Sequence, residues 1–518
     1  MNGSAANGPL ERVRFGAGLL ARLVRARYLK QPAWRIESDR NHAFLECVES
    51  VQRIPGHPIS TMLRISGWSL EKLRRRLPDA GLEQTLRDLA HDGVWLEADE
   101  VKCRKPLIRH GQRIPFSPVD LDHVRGPSVP LGTSGTSGPR TKNPTDLSGF
   151  ELQASYKRAM LSALGALDLP VVLYYPAPSA AGIAQLLAFA LAGKPPDAWF
   201  CHLPEANSSA MPWSLWLRAL AAMAAATGIR LPLPRLAEVE QPERLVTWLR
   251  RSAPRGAVVA TFAGSALRLQ AYAEKIQLPL PPSIFILGGE PITARKRALL
   301  ENRGHRVYPW YGAVDAGRIA IGCLKPEAAD DMHLLSDRFA AIEWQGRLLL
   351  TSLLPAVHKR YLNTDCGDLA TVERRSCGCP LGELGLEFHL RDVRSVQKFC
   401  LEGITLPADL VHRLADEILP TRCGGAPTDY QLLEEEGEDG WTRLVVRVAP
   451  ELVVAADKVI EMVHQVLLEA SGGAPALALR IRRSGVVTVV RERPRFSRGG
   501  KLLARDKTPH EANAPPGD

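Results

Sequence analysis

The chain contains a loop whose residue types suit phosphate binding. Residues 132–142 read Gly-Thr-Ser-Gly-Thr-Ser-Gly-Pro-Arg-Thr-Lys, in which three glycines are interleaved with hydroxyl side chains and two cations follow. Glycine permits positive φ and close approach to a ligand, so successive amide groups can turn toward an anion. No Gly-Lys-Ser/Thr closes the loop, which argues against a P-loop of the Walker type. The candidate phosphate ligands are Thr133, Ser134, Gly135, Thr136, Ser137 and Gly138.

A Gly/Ser-rich stretch is also typical of flexible loops, so this interpretation depends on other motifs. The first is Gly288-Gly289-Glu290-Pro291, which directly follows the apolar run 283–287. Such a run predicts a buried strand that ends in a tight turn. Ligands in open α/β sheets collect at the carboxyl ends of strands.

Two more motifs follow in the same part of the chain. Residues 308–317 place an aromatic cluster beside small residues and the carboxylate of Asp315. Residues 360–368 read Arg-Tyr-Leu-Asn-Thr-Asp-Cys-Gly-Asp. Either Asp365 or Asp368 can present a carboxylate to a sugar diol. Each motif alone is weak, and their order along the chain carries the inference.

In this order the motifs resemble those of the adenylate-forming ligase superfamily, specifically its phenylacetate-coenzyme A ligase-like branch. The resemblance covers most of residues 100–505. A Thr-Ser-Gly-Thr-Thr-Gly loop holds the ATP phosphates in that family, and residues 133–138 differ from it only at Ser137. The residues that the resemblance implies around the nucleotide are Gly289, Glu290, Pro291, Tyr311, Gly312, Asp365 and Arg391, with Asp368 as the second choice for the ribose.

The resemblance also implies roles for single residues. Tyr311 is expected to stack near adenine, and Asp315 stands in place of the glutamate that holds magnesium. The ribose-binding aspartate falls on Asp365 without a gap, whereas Asp368 keeps the family's Gly-Asp pair. A mobile C-terminal domain is expected to bring in a catalytic lysine, for which Lys501 is the match.

The hinge before this domain is expected near Arg391-Asp392, with Arg394 as the alternative for its arginine. The implied reaction gathers negative charge where a carboxylate attacks the α-phosphate of ATP and pyrophosphate leaves. Backbone donors, magnesium and a lysine supply the stabilisation that such a site needs. A solvated basic tail residue is the alternative interpretation of Lys501.

These motifs predict an ATP-dependent carboxylic acid ligase that forms an acyl-adenylate and passes the acyl group to a thiol, with coenzyme A as the first choice of acceptor. A carrier-protein pantetheine arm and an amine are the alternative acceptors. The small residues Ala313 and Val314, and the short side chain of Asp315, motivate another hypothesis. It is a nucleotide-binding pseudoenzyme with a scaffold role. The acid itself and the oligomeric state, with a homodimer as one option, are left open by the sequence.

The cysteines predict a second kind of site. Nine cysteines in 518 residues, without a regular framework spacing, suggest free thiols and a reducing cytoplasm. Cys323, His333, Cys377 and Cys379 lie just after the aromatic motif or the ribose motif, and four such ligands would complete a tetrahedral structural zinc site. The resemblance points the same way, since some members of the branch carry such a zinc. Buried cysteines that pack as small hydrophobes are the alternative.

Charge is concentrated near the C-terminus. Residues 480–507 hold ten Lys or Arg and two Asp or Glu, which is most of the chain's net charge of +10. Such a surface suits coenzyme A, ATP or an acidic carrier protein, and it is also compatible with a solvated basic edge. No nucleic-acid module accompanies it, so nucleic acid is not an expected partner. No apolar run of about 18 residues predicts a membrane span.

The predicted fold class is α/β, with a large N-terminal α/β domain of mostly parallel sheets and a small mobile α+β C-terminal domain. We divide the chain into a helical region (1–100), a large AMP-binding domain (101–390), a small domain with the catalytic lysine (391–508) and a disordered tail (509–518). Alternating strand and helix patterns between residues 171 and 302 indicate βαβ units.

The strands and helices predicted within and after the large domain are listed together. They are strands at 171–175, 257–262, 283–287 and 347–352; helices at 180–192, 215–227 and 293–302; and, in the small domain, strands at 430–433, 441–448 and 486–490 around a helix at 451–470. A basic amphipathic helix at 10–30 is expected to pack on the large domain, with a membrane-surface or transit-peptide role as the alternatives.

Overall fold

The structure of this protein is a computed structural model. It describes residues 9–28, 39–123, 126–132, 142–177, 179–202, 211–238, 240–313, 315–353, 359–395, 398–401, 404–470 and 482–494. The predicted phosphate ligands at 133–138, Val314 and Lys501 lie outside these residues. The predicted tail at 509–518 does so as well.

Fifteen α-helices form within the described ranges. They are α1 (Pro9–Tyr28), α2 (Arg40–Gln52), α3 (Pro58–Ile65), α4 (Leu70–Ala80), α5 (Leu82–His91), α6 (Ala98–Val101), α7 (Leu147–Ala163), α8 (Ala180–Leu191), α9 (Met211–Ala226), α10 (Glu243–Ser252), α11 (Ala263–Lys275), α12 (Ala294–Glu301), α13 (Ala408–Arg413), α14 (Leu419–Cys423) and α15 (Ala456–Ala470). None of the helices in the described part of the chain is long and apolar enough to cross a membrane.

The same ranges contain 22 strands. They are β1 (Ile108–Arg109), β2 (Gln112–Arg113), β3 (Ser128–Gly132), β4 (Lys142–Asp146), β5 (Val171–Tyr174), β6 (Ala198–Cys201), β7 (Pro234–Leu236), β8 (Val258–Thr261), β9 (Ile284–Leu287), β10 (Arg306–Ala313), β11 (Gly317–Gly322), β12 (Met332–Leu334), β13 (Phe339–Trp344), β14 (Arg347–Ser352), β15 (Thr364–Asp365), β16 (Asp368–Arg374), β17 (Phe388–Ser395), β18 (Lys398–Leu401), β19 (Ile404–Pro407), β20 (Tyr430–Glu436), β21 (Thr442–Val448) and β22 (Val487–Arg491).

A ten-stranded sheet organises most of the chain, in the order β16-β17-β12-β11-β10-β9-β8-β5-β6-β7. Six neighbouring strands of this sheet run parallel because helices connect them, as in βαβ units; they are β10, β9, β8, β5, β6 and β7. Strands β11, β12, β17 and β16 pair antiparallel, since a hairpin turn reverses the chain after β10. The sheet is therefore mixed, and the α/β fold class is confirmed.

Apolar burial explains where the parallel strands lie. All four residues of β5, β6, β8 and β9 are buried, as expected for strands covered on both faces. Helix α1 packs on this layer through Phe15, Leu19 and Leu23, which are at most 1% exposed. The apolar face of this basic amphipathic helix therefore packs on the rest of the large unit, as expected.

The helices of the predicted N-terminal region share a core with the sheets. Apolar side chains of α2, α3, α4 and α5 pack with β11, β12, β13 and β14. Asn363 fixes this contact, because its side-chain amide donates to the carbonyls of Leu86 (2.7 Å) and Val94 (3.2 Å). Leu96 also forms a parallel bridge with Thr364.

The described residues form two compact units, one ending at Ser395 and the other beginning at Lys398. In the small unit, β20, β21 and β22 form a sheet that packs with α13, α14 and α15. This matches the strand-helix-strand pattern predicted after residue 430, although α15 begins five residues later than expected. Our proposed domain boundaries at residues 100 and 390 stay predictions.

Candidate active site

The carboxyl ends of parallel strands β5, β8 and β9 bring aromatic and glycine residues together. Gly288 directly follows β9, and a Cβ placed there would lie 2.2 Å from the ring of Trp310. Gly289 has φ of +79° and lies against Phe262, which follows β8. The ring of Phe262 meets that of Tyr175, after β5, edge-on with centroids 5.0 Å apart. The glycine turn thus faces the edge at which open α/β sheets bind ligands.

The acidic residue of this turn has a local partner. Glu290 Oε2 accepts a hydrogen bond of 2.8 Å from the amide of Gly264, in the first turn of α11. A carboxylate at this position satisfies an amide that has no partner within the helix. Pro291 follows, and its carbonyl lies 3.4 Å from the Lys296 ammonium. The side chain of Glu290 therefore connects the turn at 288–291 to the start of α11, the helix that follows β8.

The aromatic motif forms the hairpin of β10 and β11. Gly312 pairs with Arg318, and a Cβ at Gly312 would lie 2.4 Å from the Gly317 carbonyl oxygen, so only glycine fits. Burial, followed by the charge of Asp315, holds the pKa of Tyr361 well above its ordinary value. Asp315 thus lies at the turn of this hairpin, within electrostatic reach of the third motif.

The two candidate ribose aspartates have different surroundings. Asp365 is buried in β15, where its side chain accepts hydrogen bonds of 2.6 Å from both Arg347 Nη1 and the Gly367 amide. Asp368 accepts a hydrogen bond of 2.7 Å from the hydroxyl of Tyr311. The structure therefore brings Asp368, rather than Asp365, to the expected adenine-stacking residue.

The region of the expected hinge lies in strand β17. Arg391 pairs with Glu373 at 3.3 Å, and Asp392 has φ of +56° where a bulge interrupts pairing with β16. Asp330 holds this bulge, because its carboxylate accepts from the amides of Asp392 and Val393. It also forms an ion pair of 3.0 Å with Arg394. Sequence reasoning missed Asp330, although the adjacent pair Asp330-Asp331 was a visible signal.

The four predicted zinc ligands converge. Ligand atoms of Cys323, His333, Cys377 and Cys379 all lie within 4.8 Å of one another. His333 Nε2 lies 3.2 Å from the Cys379 sulfur, and its Nδ1 lies 2.7 Å from the carbonyl oxygen of Leu386. A carbonyl only accepts, so Nδ1 carries the proton and Nε2 presents its lone pair to the sulfurs. This donor set and ring orientation fit a tetrahedral metal ion.

A second layer of contacts supports this cluster. The Lys325 amide donates to the Cys323 sulfur at 3.4 Å, and a hydrogen bond from Cys323 is the largest cause that holds the pKa of the Cys379 thiol well below its usual range. Beside His333, the His389 ring has its Nδ1 2.7 Å from an oxygen of Asp331. The sequence offered no direct signal for this His389–Asp331 pair, since the two lie 58 residues apart.

The strands that flank the predicted phosphate loop are paired. Strands β3 and β4 are antiparallel, with Gly132 opposite Lys142 at the end nearest the loop. Strands β3 and β4 therefore pair up to Gly132 and Lys142, and α7 begins directly after β4 with Asp146 as N-cap. A hairpin base of this kind holds both ends of a glycine-rich connection together.

No protein-family model matches this chain, and no curated protein matches it. Among solved structures, a 2-hydroxyisobutyryl-CoA ligase complexed with 2-HIB-AMP and CoA in the thioesterification state aligns with a TM-score of 0.53. The two chains are 14% identical over 97% of this chain and 91% of that one.

Two further structures give lower scores. The postadenylation state of the 2-hydroxyisobutyryl-CoA ligase with 2-HIB-AMP aligns at a TM-score of 0.44 and 13% identity, over 96% of this chain and 90% of that one. The o-succinylbenzoate coenzyme A synthetase from Bacillus subtilis, in complex with ATP and magnesium, aligns at a TM-score of 0.31 and 15% identity. This alignment covers 72% of this chain and 68% of that one. From the alignment at a TM-score of 0.53, over nearly the whole of both chains, this protein has the fold of an adenylate-forming ligase.

Proposed function

We propose that this protein is an ATP-dependent carboxylic acid ligase that forms an acyl-adenylate and transfers the acyl group to a thiol. The observation that carries the proposal is the contact between Tyr311 and Asp368, made in a chain with this fold. It joins the aromatic motif to the Gly-Asp pair, and the turn 288–291 lies at the end of the adjacent strand β9. These are the parts that a nucleotide needs for base and ribose.

Each motif has a place in the proposed reaction. Tyr311 stacks on adenine, Asp368 accepts from the ribose hydroxyls, and the amides and hydroxyls of residues 133–138 bind the phosphates. Asp315 is the ligand for a magnesium ion, which would neutralise phosphate charge when bound. Lys501 donates to the oxygens on which negative charge develops, a contribution of several kcal/mol in a water-poor site.

The proposed chemistry has two displacement steps. A substrate carboxylate oxygen attacks the α-phosphorus of ATP, the bond to the bridging oxygen breaks, and pyrophosphate leaves. A thiol sulfur then attacks the acyl carbon, loses its proton, and AMP leaves as the acyl–oxygen bond breaks. Coenzyme A is the acceptor that we propose, and a carrier-protein pantetheine arm or an amine would change only the second step.

The test is carboxylate-dependent exchange of labelled pyrophosphate into ATP, with wild type and Lys501→Ala, across aryl and alkyl acids. We expect exchange in the wild type and at least a hundredfold loss in the variant. AMP release with and without coenzyme A then identifies the acceptor. ATP binding without exchange for any acid would refute the ligase and favour the pseudoenzyme.

We also propose that Cys323, His333, Cys377 and Cys379 hold a structural zinc ion. Four protein ligands leave no open coordination position, so the site would stabilise the fold rather than perform chemistry. The support is the convergence of the four ligand atoms and the orientation of His333 by the Leu386 carbonyl. Metal analysis of purified protein tests it, and zinc well below one ion per chain would contradict it.

A further inference from the structure

Three basic side chains are buried next to the β10–β11 hairpin. Lys157 on α7, Arg318 on β11 and Arg338 just before β13 are 2%, 3% and 0% exposed. Lysine and arginine are almost never buried to this extent unless a negative group pairs with them. The cluster therefore requires an explanation that the proposed nucleotide contacts do not supply.

Their nitrogens are largely without partners among the described residues. Arg318 Nε and Nη1, and Arg338 Nε and Nη1, are buried and donate to no hydrogen-bond acceptor there. Arg338 Nη2 donates to the Ala316 carbonyl at 2.9 Å, and Lys157 Nζ donates to Gln185 Oε1 at 2.9 Å. Both of these acceptors are neutral, so the positive charges remain uncompensated by their hydrogen bonds.

The electrostatics of the cluster agree with this. Burial and then repulsion from Arg318 hold the pKa of Lys157 well below its usual value. Burial lowers the pKa of Arg318 to about 10, and repulsion from Arg338 contributes less than the opposing effect of Tyr175. Burial lowers the pKa of Arg338, against the opposing effects of Tyr156, Asp337 and Tyr361. Asp337 is the carboxylate among these three groups. A bound anion would relieve this repulsion, because an uncompensated buried charge is strongly destabilising.

Asp337 is already shared with another group. Its two carboxylate oxygens accept from the Tyr156 hydroxyl at 3.0 and 2.9 Å. Burial raises the pKa of Asp337, which weakens its value as a fixed negative charge. The cluster thus has three cations and one carboxylate that is partly committed elsewhere.

The walls of the cluster are aromatic. The Arg318 guanidinium lies 4.4 Å from the ring centroid of Trp310, and the Lys157 ammonium lies 4.2 Å from that of Phe189. Gly317 packs closely on the cluster, because a Cβ there would lie 3.2 Å from Arg338 Nη2. Apolar rings beside cations suit an organic acid, whose carbon chain contacts the rings while its carboxylate meets the nitrogens.

The cluster adjoins the proposed site of adenylation. Arg318 pairs with Gly312 across the hairpin, and Trp310 immediately precedes Tyr311. Arg338 holds the carbonyl of Ala316, the residue after Asp315. An acid substrate with one carboxylate at the nucleotide would therefore lie beside the hairpin that carries or contacts these cations.

We propose that Lys157, Arg318 and Arg338 form an anion subsite for a second carboxylate on the acid substrate, so that the substrate class is a dicarboxylic acid. This identification of the substrate rests on the proposed ligase function, whereas anion binding by the three cations does not. The phosphates of the nucleotide are the other source of an anion, and binding of inorganic pyrophosphate distinguishes the two sources.

The test compares α,ω-dicarboxylates of four to eight carbons with ω-amide monoacids of the same length. Binding is measured by titration calorimetry without ATP, in wild type and in the variants Arg318→Met and Lys157→Met. The control variant is Arg303→Met, because Arg303 is exposed and belongs to the same unit. We expect a dicarboxylate to bind at least tenfold more tightly than its amide in wild type and in the control. The preference should fall to within twofold in both subsite variants, and Arg318→Lys should restore part of it.

Three outcomes would overturn the subsite. The first is equal binding of the dicarboxylate and its amide by wild type. The second is a preference for the dicarboxylate that is retained in folded Arg318→Met or Lys157→Met protein. The third is a loss of inorganic pyrophosphate binding in those variants while their preference for the dicarboxylate is unchanged. Thermal melting by circular dichroism establishes that each variant is folded. If the preference is present but no acid supports pyrophosphate exchange, the subsite stands and the ligase proposal fails.

Discussion

The hydroxyl of Tyr311 donates a hydrogen bond of 2.7 Å to the carboxylate of Asp368, 57 residues further along the chain. Burial, followed by the charge of Asp368, holds the pKa of Tyr311 well above its ordinary value, so the phenol remains a donor at neutral pH. The contact also distinguishes the two aspartates that the sequence left as candidates for the ribose.

Replacement of these aspartates should separate nucleotide binding from stability. In Asp368→Asn, the amide oxygen can still accept from Tyr311, but the charge offered to the ribose is lost. We expect ATP affinity to fall about 10- to 100-fold with little change in folding. Asp365→Asn should leave ATP affinity within about twofold, and urea unfolding should show a loss of about 1–3 kcal/mol.

The reason for the second effect is that Asp365 pairs with Arg347 and accepts from the Gly367 amide. Calorimetric titration with ATP and urea unfolding measure the two effects on the same preparations. A tenfold loss of ATP affinity in Asp365→Asn, with Asp368→Asn unaffected, would place the ribose on Asp365 instead.

Removal of the proposed zinc should destabilise the large unit. We expect Cys379→Ser and His333→Ala to purify with zinc well below one ion per chain and to melt at lower temperature, because metal binding contributes directly to folding. A strong chelator should lower the melting temperature of wild type but not of these variants.

Cys103→Ser is the matched control, since Cys103 is an exposed free cysteine away from the cluster. It should retain the wild-type metal content and melting temperature. Full zinc occupancy in both ligand variants would show that these residues do not hold the ion.

The tight glycine turn should not tolerate even one methyl group. In Gly288→Ala the new Cβ would overlap the ring of Trp310, which must then move. We expect a loss of about 1–3 kcal/mol in the free energy of unfolding, as for other overpacked positions. Gly126→Ala is the control, because nothing lies within 4 Å of a Cβ there. Denaturant unfolding of both variants tests this, and equal stabilities would contradict the overlap.

Buried His305 should make stability depend on pH. The Ser283 amide donates to its Nδ1 at 3.1 Å, and its Nε2 lies 2.9 Å from Gln270 Oε1, an arrangement that fits a neutral ring. Burial lowers the pKa of His305 to about 4. Because the unfolded ring, with a pKa near 6.5, binds the proton first, this stabilisation is complete above pH ~6.5 and is lost as pH falls toward 4.

We expect this single group to account for about 1–2 kcal/mol of the loss, a value reduced to allow for partial solvent screening. His305→Gln should flatten the stability profile between pH 6.5 and 4, whereas replacement of the exposed His42 by Gln should not. Urea unfolding across that range measures the slope. An unchanged slope in His305→Gln would rule out this linkage.

Much of the architecture was predictable because it depends on local pattern. Strand β14 was predicted with its observed bounds, and β5, β8, β9 and α12 were placed to within one or two residues. Apolar runs and their flanking turns determine such elements before any long-range contact forms. The antiparallel half of the large sheet was not predicted, because strand partners are chosen by contacts between distant residues.

The candidate site divides in the same way. The sequence by itself determined the residue types of the motifs, including the glycines at 288 and 312 and the four predicted metal ligands. Only the tertiary structure gives Asp365 and Asp368 different surroundings, since both have the same chemistry and they lie three residues apart. Arg347 binds the first, and Tyr311 binds the second.

The buried cations show the same limit most clearly. In the sequence, Lys157, Arg318 and Arg338 are three ordinary basic residues, separated by up to 181 positions and surrounded by other charges. Their shared property is removal from water, which arises only when α7 and the β10–β11 hairpin pack together. Residue type is set by the sequence, whereas burial and the pairing of charges are properties of the whole packed chain.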